Sequence, residues 1–364
     1  MCGFGIDSRI CSPLGRDRAL KRIARWLYAQ RSVLGHAKAL LRSDSTHNSK
    51  EQRWAARFRA AHPFVESDPC NGESLRLILG VGRSGTNWIS GVMAKTTAPS
   101  RFFHEPLFHL RPRLPFREIG DHTAIGYCDE QRAAPLIAAY RLIAHRRFWD
   151  PTLPGTKRND AEWQLCLVKE VHALLGCEAL LRTWNAPVVF ILRSPVYILD
   201  SLLAAQTLDS IYLNHEVAAV QDPAFLSRYA AGGEDAVARI LRAGARMPRR
   251  PRIILRKLIC IHLLQNMFSD LAQRFPHCKA FAYEEFCARP SETFRSAAQA
   301  LAIPWDGSMS AHLQSTMLGN RGAASDHYAV FRDTEAQTNR DFRFLSAAEI
   351  DLCRTTLAAL PPSA

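Results

Sequence analysis

Residues 75–93, with the sequence LRLILGVGRSGTNWISGVM, give the clearest structural signal in this chain. The apolar run 75–79 is typical of a buried strand, and the residues from Trp88 onward have the apolar spacing of a helix. A loop with glycines at positions 80, 82 and 85 joins the two. Such a loop presents backbone N–H groups and the positive end of the helix dipole to an anion. The stretch therefore predicts an α/β fold with an anion-binding loop.

The loop also contains side chains that bind phosphate. Arg83 adds a positive charge, and Ser84 and Thr86 add hydroxyl donors. The loop differs from the P-loop, GxxxxGK[ST], because Thr86-Asn87 stands where that motif has its lysine and its Mg²⁺-binding hydroxyl. A P-loop kinase or another ATP-binding protein is therefore disfavoured, and it is kept as the alternative. Taken alone, the loop is also consistent with a purely structural turn.

A second strand-and-helix segment carries a pair of groups that suit the same ligand class. The apolar run 188–192 ends in Arg193-Ser194-Pro195, and Ser201 follows on the next predicted helix. A guanidinium at the end of a strand and a hydroxyl one to two turns into a helix can bind one phosphate. Alone, Arg193 is equally consistent with a helix cap or an ion pair. Together with the first loop, the pair favours a second phosphate site.

These segments resemble the signature motifs of sulfotransferases that use 3′-phosphoadenosine 5′-phosphosulfate (PAPS) and need no metal ion. The run 83–88, RSGTNW, resembles the phosphosulfate-binding loop, and Arg193 with Ser201 resembles the pair that binds the 3′-phosphate. Two further segments resemble structural motifs of the family. They are the expected strand 280–286, AFAYEEF, and the helix closure 301–305, LAIPW.

The resemblance covers roughly residues 75–361 and implies a three-layer αβα fold with a central parallel sheet, like that of P-loop NTPases. It predicts a sulfotransferase domain over residues 72–364, preceded by a basic helical extension over residues 1–71. PAPS would be the co-substrate, without a metal ion. The segment 102–108, FFHEPLF, resembles the corresponding segment of carbohydrate sulfotransferases. This implies a sugar hydroxyl on a glycan or glycolipid as the acceptor.

The resemblance also assigns roles to the residues of the first loop. Arg83 would face the 5′-phosphate and the bridging oxygen, where it stabilises the leaving group. Further donors to this phosphate are expected from Ser84, Gly85, Thr86 and Asn87. Trp88 matches a tryptophan that stacks on adenine in cytosolic members. An aromatic residue at a helix start is also commonly part of the core, and this alternative stays open.

Transfer requires a base that takes the proton of the acceptor hydroxyl. Glu105 is the first candidate, since a glutamate in this Glu-Pro position is the proposed base in some glycan-modifying relatives. His104 is the second, because histidine is the base in cytosolic members and its ordinary pKa is near neutral. Successive residues of a strand point in opposite directions, so only one of the two faces the acceptor. Lys169 and His172 are further candidates for contacts with the sulfate and the acceptor.

The composition is that of a globular protein with anionic ligands. Of 364 residues, 47 are Lys or Arg and 34 are Asp or Glu, which gives a formal net charge of +13. The hydrophobic content of 47% excludes disorder of the whole chain. A nucleic-acid-binding module is the alternative from another functional class, but no helix-turn-helix, RNA-recognition or zinc-finger signature is present. The ten cysteines form no CxxC pair, so no metal site is expected.

The first 71 residues have a character of their own. Between residues 18 and 41, apolar positions recur at helical spacing with basic residues between them, which predicts a basic amphipathic helix. This helix either packs on the main domain or contacts an anionic membrane surface. No apolar stretch approaches the roughly 18 residues of a membrane span, and no signal-peptide pattern is present. The sequence therefore predicts a cytoplasmic protein. If the basic helix contacts a membrane surface, the protein would be peripheral to the inner face of that membrane.

Overall fold

The structure, a computed structural model, describes residues 74–107, 163–204, 222–230, 232–317 and 341–360, together with single positions between 136 and 144. The predicted basic extension, residues 1–71, and its boundary with the following domain lie outside the described residues. Within the described ranges, no helix is both long enough and apolar enough to cross a membrane.

A five-stranded sheet forms the centre of the described structure. Its strands are β1 (Leu75–Gly80), β2 (Ser100–His104), β3 (Leu165–Glu170), β4 (Val188–Leu192) and β5 (Cys278–Ala282). They lie in the order β2-β3-β1-β4-β5, and each neighbouring pair is parallel. Parallel strands need long crossover connections and cover on both faces, so their sequences are nearly continuous apolar runs, as in β1 and β4. The predicted α/β fold with a central parallel sheet is confirmed.

The described helices connect and cover these strands. They are α1 (Thr86–Met93), α2 (Cys177–Thr183), α3 (Pro195–Ala204), α4 (Pro223–Tyr229), α5 (Glu234–Gly244), α6 (Arg249–Arg274), α7 (Tyr283–Ala288), α8 (Pro290–Ala300), α9 (Gly307–Met317) and α10 (Ala347–Ala358), with a short 3₁₀ helix at Leu174–Gly176. Helix α1 directly follows β1, α3 follows β4, and α6 leads into β5. Each of the two phosphate motifs found in the sequence therefore lies where a strand turns into a helix.

Successive side chains of β4 reveal the two helical layers. Phe190 stacks on Phe268 of α6, with the ring centroids 4.9 Å apart. Its neighbours Val189 and Ile191 instead belong to a core cluster with apolar residues of α1, α8 and α9. Because successive residues of a strand point to opposite faces, α6 covers one face of the sheet and α1, α8 and α9 cover the other. This is the predicted three-layer αβα arrangement.

The strand order brings the predicted site residues to one edge of the sheet. Strand β1 lies at the centre, between β3 and β4, and the chain passes from it to the edge strand β2. In α/β proteins, ligands bind outside the carboxyl ends of the strands at such a reversal of order. Arg83 follows β1, Glu105 follows β2, Lys169 lies near the end of β3, and Arg193 follows β4. Four strands therefore contribute to one site.

Two predicted boundaries in the C-terminal part can be compared with the structure. The spacing of Ser346 and Glu349 predicts a capping box, and both of its hydrogen bonds are present at the start of α10. The strand that was expected to include Tyr283 and Glu284 ends earlier, at Ala282, and these two residues open α7 instead. The earlier end allows the ring of Tyr283 to pack beneath the glycine loop.

Candidate active site

The glycine loop has one position that only glycine can occupy. Gly85, the N-cap of α1, has φ 98°, and a Cβ placed on it would lie 2.2 Å from Cδ2 of Tyr283. Both the left-handed backbone and this contact rule out a larger residue. No side chain caps α1, and the first N–H groups of a helix have no acceptor within the helix. The N-terminus of α1 is therefore open to an anion.

Arg83, Arg193 and Ser201 meet beside this helix end. The Nε of Arg83 donates to Oγ of Ser201 over 3.1 Å, and Nη1 of Arg193 donates to the carbonyl of Arg83 over 2.8 Å. The guanidinium of Arg193 also lies over the ring of Tyr283, 4.4 Å from its centroid. Arg83 itself has φ 74°, a left-handed conformation that costs a non-glycine residue about 1 kcal/mol. The strain lies at the point where the two phosphate motifs come together.

The residues after β4 are held by hydrogen bonds from two helices. Nε2 of Gln265, on α6, donates to the carbonyl of Arg193 over 2.6 Å. The N–H of Ser194 donates to Glu284, on α7, over 3.3 Å. Arg193 and Ser201 are each 7% exposed. A phosphate bound between them would be largely shielded from water, where hydrogen bonds to a charged group are strong.

The hydroxyl groups of the loop pack inward. Ser84 is fully buried and Thr86 nearly so, and a Cβ placed on Gly80 would lie 2.6 Å from Oγ of Ser84 and 2.9 Å from Cγ2 of Thr86. Among the described residues, Oγ of Ser84 has no hydrogen-bond partner. Its N–H donates to Val81 over 3.0 Å. The N–H groups of Thr86 and Asn87 are therefore better placed to meet an anion than the two hydroxyls are.

A second cluster lies at the ends of β2 and β3. Oε1 of Glu105 pairs with Nζ of Lys169, and Oε2 lies 3.4 Å from Nε2 of His172. The N–H of Glu105 donates to the carbonyl of Lys169 over 2.8 Å, and a φ of 49° turns the chain there. The side chain of Glu105 is 21% exposed, against 3% for Lys169 and 9% for His172. Of the three, Glu105 is the most accessible to a bound molecule.

The surroundings of Glu105 keep its carboxyl group ionised. Burial acts to raise its pKa, but the hydrogen bond to His172 and the charge of Lys169 together outweigh burial, so the pKa of Glu105 falls well below its usual range. A carboxylate with a lowered pKa is a weak base by itself. Nε2 of His172, 3.4 Å from Oε2 of Glu105, is a second group at this position that can exchange a proton.

The buried carboxylate of Glu170 holds the two segments that carry this cluster. It accepts hydrogen bonds from the N–H groups of Val171 at 2.8 Å, His172 at 2.9 Å and Leu107 at 3.3 Å. Leu107 lies two positions after Glu105. The side chain of Glu170 therefore connects the segment after β2 to the turn after β3 through hydrogen bonds. Burial raises the pKa of Glu170, and the nearby charge of Glu105 adds to this effect.

The two clusters are neighbours. Burial lowers the pKa of Lys169, and the charge of Arg83 acts on it in the same direction, against the opposite effect of Glu105. Nε2 of His104 lies 3.2 Å from Oδ1 of Asn87, which joins the end of β2 to the first turn of α1. His104 is exposed, whereas Glu105 turns toward Lys169. The two candidate bases therefore face different surroundings, because β2 ends at His104 and the chain turns at Glu105.

Trp88 lies in the core. It is fully buried, and its ring makes edge contacts with Phe294 and Tyr283, at centroid distances of 5.0 Å and 6.2 Å. Its Nε1 donates to Oγ1 of Thr316 over 3.0 Å. These contacts are those of a structural aromatic residue at a helix start. The structure does not bring Trp88 to the group formed by Arg83 and Arg193.

His172 is only a second-line candidate in the sequence, and Glu170 has no predicted role there. His172 meets Glu105 across 67 residues of chain, and no spacing rule reveals such a contact. The apolar strand pattern that ends at Glu170 was the available signal, because it places the next polar residues at the edge of the sheet where ligands bind. Within the described ranges, no group of three or more His, Cys, Asp or Glu side chains could hold a metal ion.

Three solved structures that are similar to this chain are sulfotransferases. A sulfotransferase domain from the curacin biosynthetic pathway has a TM-score of 0.38 and 12% sequence identity, and the match covers 78% of this chain and 97% of that domain. Mouse sulfotransferase SULT7A1 complexed with PAP has a TM-score of 0.38 and 11% identity, with 82% of this chain and 88% of that chain covered. Sulfotransferase STF9 from Mycobacterium avium has a TM-score of 0.35 and 15% identity, with 83% of this chain and 79% of that chain covered. No protein-family model matches the chain, and no curated protein matches it.

Proposed function

We propose that this protein is a sulfotransferase that transfers the sulfuryl group of PAPS to a hydroxyl group. The observation that carries the proposal is the meeting of Arg83, Arg193 and Ser201 beside the uncapped N-terminus of α1. Guanidinium groups and a helix N-terminus are both strong binders of phosphate, and PAPS has a phosphate at each of two ribose positions. The lysine that a P-loop kinase needs is replaced by Thr86.

The residues fit both phosphates of this ligand. The N–H groups of Thr86 and Asn87, together with Arg83, would hold the 5′-phosphate, and Arg193 with Ser201 would hold the 3′-phosphate. Gly85 supports the fit, because a side chain there would collide with Tyr283 and distort the loop. Bound there, PAPS supplies the sulfuryl group, and adenosine 3′,5′-bisphosphate remains. Arg83 would stabilise the charge that develops on the leaving phosphate oxygen.

Glu105 and His172 would accept the proton of the acceptor hydroxyl as a pair. The acceptor oxygen bonds to sulfur as the bond from sulfur to the bridging phosphate oxygen breaks, and the hydroxyl proton must leave. The higher exposure of Glu105 supports it as the group that meets the hydroxyl. Its lowered pKa supports a second group as the one that keeps the proton, and Nε2 of His172 lies 3.4 Å from Oε2 of Glu105. Lys169, paired with Glu105, would add a positive charge at this end of the site.

For the acceptor, we propose a sugar hydroxyl on a glycan or glycolipid. The support is the segment 102–107, FFHEPL, with its carboxylate at the end of β2. An alcohol is a much weaker acid than a phenol, so its attack depends more strongly on a positioned base. A carboxylate–histidine pair therefore suits a sugar hydroxyl better than it suits an acceptor that ionises readily.

Calorimetric titration with adenosine 3′,5′-bisphosphate, without added metal, tests the donor site. We expect micromolar binding by the wild-type protein and far weaker binding of ATP. Ser201→Ala removes one hydroxyl, and we expect it to weaken binding by about tenfold. Arg193→Ala removes a charged donor, and we expect a loss of about a hundredfold. Both variants should have a melting temperature close to the wild type if the loss is local.

Ser227→Ala, at an exposed position on α4, is the matched control and should bind like the wild type. Absence of binding to the wild-type protein would overturn the proposal. Binding of ATP only, and only with Mg²⁺, would overturn it in favour of a kinase. Equal losses in Ser201→Ala and Ser227→Ala would remove the second phosphate site from the argument.

A further inference from the structure

Helices α5 and α6 carry a dense group of arginines. From residue 239 to residue 257 the chain has seven arginines, one lysine and no acidic residue. Six of the arginines form two rows with the same i, i+3, i+7 spacing, Arg239, Arg242 and Arg246 on one side and Arg249, Arg252 and Arg256 on the other. Residues at this spacing share a face of a helix, as Arg249, Arg252 and Arg256 do on α6 and as Arg239 and Arg242 do on α5, whereas Arg246 lies in the turn that follows α5. We call these six residues the arginine surface; Arg252 is partly exposed and the other five are exposed.

The helices that carry these rows lie side by side. A Cβ placed on Gly244, at the end of α5, would lie 2.3 Å from Cδ2 of Leu255 on α6, so the two helices are in close contact. Nη1 of Arg252 donates to the carbonyl of Ala245, in the turn after α5, over 3.5 Å. Packed helices have axes about 8–10 Å apart. The arginine surface is therefore broad in two directions rather than a single line of charge.

The arginine surface lies at the same end of the described domain as the candidate active site. Gln265 of α6 contacts the carbonyl of Arg193, which marks the carboxyl edge of the sheet. Arg249 begins α6, and the sixteen residues from there to Gln265 correspond to about 24 Å of helix. Because α6 runs back to the start of β5, this length extends beyond the carboxyl edge. Whatever binds the arginine surface is brought toward the site.

An exposed aromatic ring accompanies these charges. Phe344 is 44% exposed and is the one exposed large hydrophobic residue among those described. Its carbonyl accepts from Nη2 of Arg250 over 3.0 Å, and its N–H donates to the buried carboxylate of Asp200 over 2.8 Å. Arg250 is not one of the six residues of the arginine surface, but it lies in the first turn of α6 between Arg249 and Arg252, so the backbone that carries the ring is fixed beside the start of that helix. Arg343, the preceding residue, is also exposed.

We propose that the arginine surface and Phe344 form a docking surface for anionic lipid bilayers. Basic side chains are attracted to the negative potential of anionic headgroups, and an aromatic ring inserts at the level of the headgroups. A broad array of arginines with the fixed ring of Phe344 suits a flat surface such as a bilayer. A linear polyanion would contact only one of the two rows of arginines. Docking would present the site to a membrane-borne acceptor. The docking step does not depend on the proposed transfer reaction, so the two can fail separately.

Vesicle co-sedimentation of the full chain tests this proposal. We expect binding to vesicles of phosphatidylcholine with phosphatidylglycerol, none to phosphatidylcholine alone, and a steep loss of binding with added salt. Replacing Arg239, Arg242 and Arg246 together by glutamine should lower the partition coefficient by about thirtyfold or more. Phe344→Ser should lower it by about fivefold. Binding of adenosine 3′,5′-bisphosphate should be unchanged in both variants.

The matched control replaces three exposed basic residues elsewhere, Lys279, Arg295 and Arg354, by glutamine and so removes the same charge. It should bind vesicles nearly as the wild type does. An equal loss in this control would show that net charge alone is responsible, and the proposal would fail. Unchanged binding of the arginine variant would place membrane contact in another part of the chain. Binding to soluble heparin but not to vesicles would identify an anionic polysaccharide as the partner instead.

Discussion

The carboxylate of Glu105 lies between a lysine that keeps it ionised and a histidine that can accept a proton. This arrangement gives the two partners different tasks. Together with the hydrogen bond to His172, the charge of Lys169 lowers the pKa of the carboxyl group, and the imidazole of His172 offers a nitrogen that can accept a proton. Neither Glu105 nor His172 alone would be both accessible to the substrate and a sufficiently strong base.

The pH dependence of transfer distinguishes this pair from a carboxylate that acts alone. An imidazole that must be neutral gives an acid limb in kcat/KM at a higher pH than a carboxylate does. Glu105 alone, with its pKa below the ordinary value of 4.5, would give a limb only below that pH. We expect the limb at the higher pH in the wild type. We expect His172→Gln to lower kcat by about a hundredfold or more, and to remove the limb.

His104→Gln is the matched control for the histidine variant, because His104 contacts Asn87 rather than Glu105. It should change kcat by less than about fivefold. A large loss in His104→Gln with normal kinetics in His172→Gln would make His104 the base. A profile without an acid limb above pH 5 would favour Glu105 acting alone.

Individual residues could be predicted from the sequence where they belong to one continuous motif. Arg83 lies in the glycine loop, and Arg193 and Ser201 are eight positions apart after one strand. The inward packing of Ser84 could not be predicted, because it depends on the missing side chain of Gly80. The buried position of Trp88 depends on Phe294 and Thr316, both more than 200 residues away. Contacts at such separations leave no local pattern.

Glu170 shows how one buried carboxyl group can set the relative position of two chain segments. Its three hydrogen bonds join the segment after β2 to the turn after β3. The Glu105–His172 contact spans the same two segments. The distance between the two members of the proton-accepting pair is therefore set by a residue that does not face the substrate. Glu170 is in this sense a positioning residue.

We expect Glu170→Gln to lower kcat by about tenfold to a hundredfold. The amide of glutamine has one acceptor oxygen, so its NH₂ group would face an N–H donor where the carboxylate now accepts a hydrogen bond. Affinity for adenosine 3′,5′-bisphosphate should stay unchanged, because Arg193 and Ser201 are held by other contacts. Single-turnover kinetics together with calorimetry separate the two effects.

Glu349→Gln is the control, since Glu349 also accepts a backbone N–H but does so at the start of α10. It should lower thermal stability and leave kcat unchanged. A fall in melting temperature without a change in kcat for Glu170→Gln would show that Glu170 has only a structural role. Loss of nucleotide affinity in the same variant would point to wider disruption of the sheet edge.

Secondary structure was predictable where apolar runs meet glycine or proline. The strand–loop–helix units at β1 and β4 follow directly from their sequences. The end of β5 was predicted too late, because the run 280–286 continues the strand pattern past Ala282. Tyr283 leaves the strand to pack beneath Gly85. Tertiary packing overrides local propensity at that point.

A buried carboxylate outside the candidate active site connects three helices. Glu178 of α2 accepts from the hydroxyl of Tyr229 on α4 over 2.6 Å and from Arg274 on α6 over 3.1 Å. Arg182 and Arg228 reach the same carboxylate, at 2.8 Å and 2.6 Å. Burial acts to raise the pKa of Glu178, but these bonds together outweigh burial and lower it. The network therefore depends on an ionised glutamate.

Glu178→Gln should lower the free energy of unfolding at pH 7 by about 2 kcal/mol, less than for a fully buried pair because the arginines are partly exposed. The folded-state pKa of Glu178 lies below its unfolded value of about 4.5. Its stabilising contribution is therefore complete above that pH and is lost as the pH falls through the folded-state pKa. Denaturant unfolding at pH 7 and pH 3.5 should show a smaller difference between variant and wild type at the lower pH.

Glu292→Gln is the matched control, because Glu292 forms an exposed pair with Arg289. It should leave the stability unchanged within about 0.5 kcal/mol at both pH values. A destabilisation of Glu178→Gln that is as large at pH 3.5 as at pH 7 would contradict the ionised network. It would indicate lost packing rather than lost charge.

The strand order has a consequence for how this chain is made in the cell. Leu75 of the central strand pairs with Cys166, Leu77 pairs with Val188, and Val188 in turn pairs with Cys278. During translation, β1 and its glycine loop emerge from the ribosome long before any strand that can pair with them. An apolar strand that stays unpaired during this time is prone to aggregation and can be bound by chaperones. We therefore expect slow synthesis and low temperature to raise the yield of folded protein, and a chain interrupted before β5 to be degraded rather than to persist as a smaller enzyme.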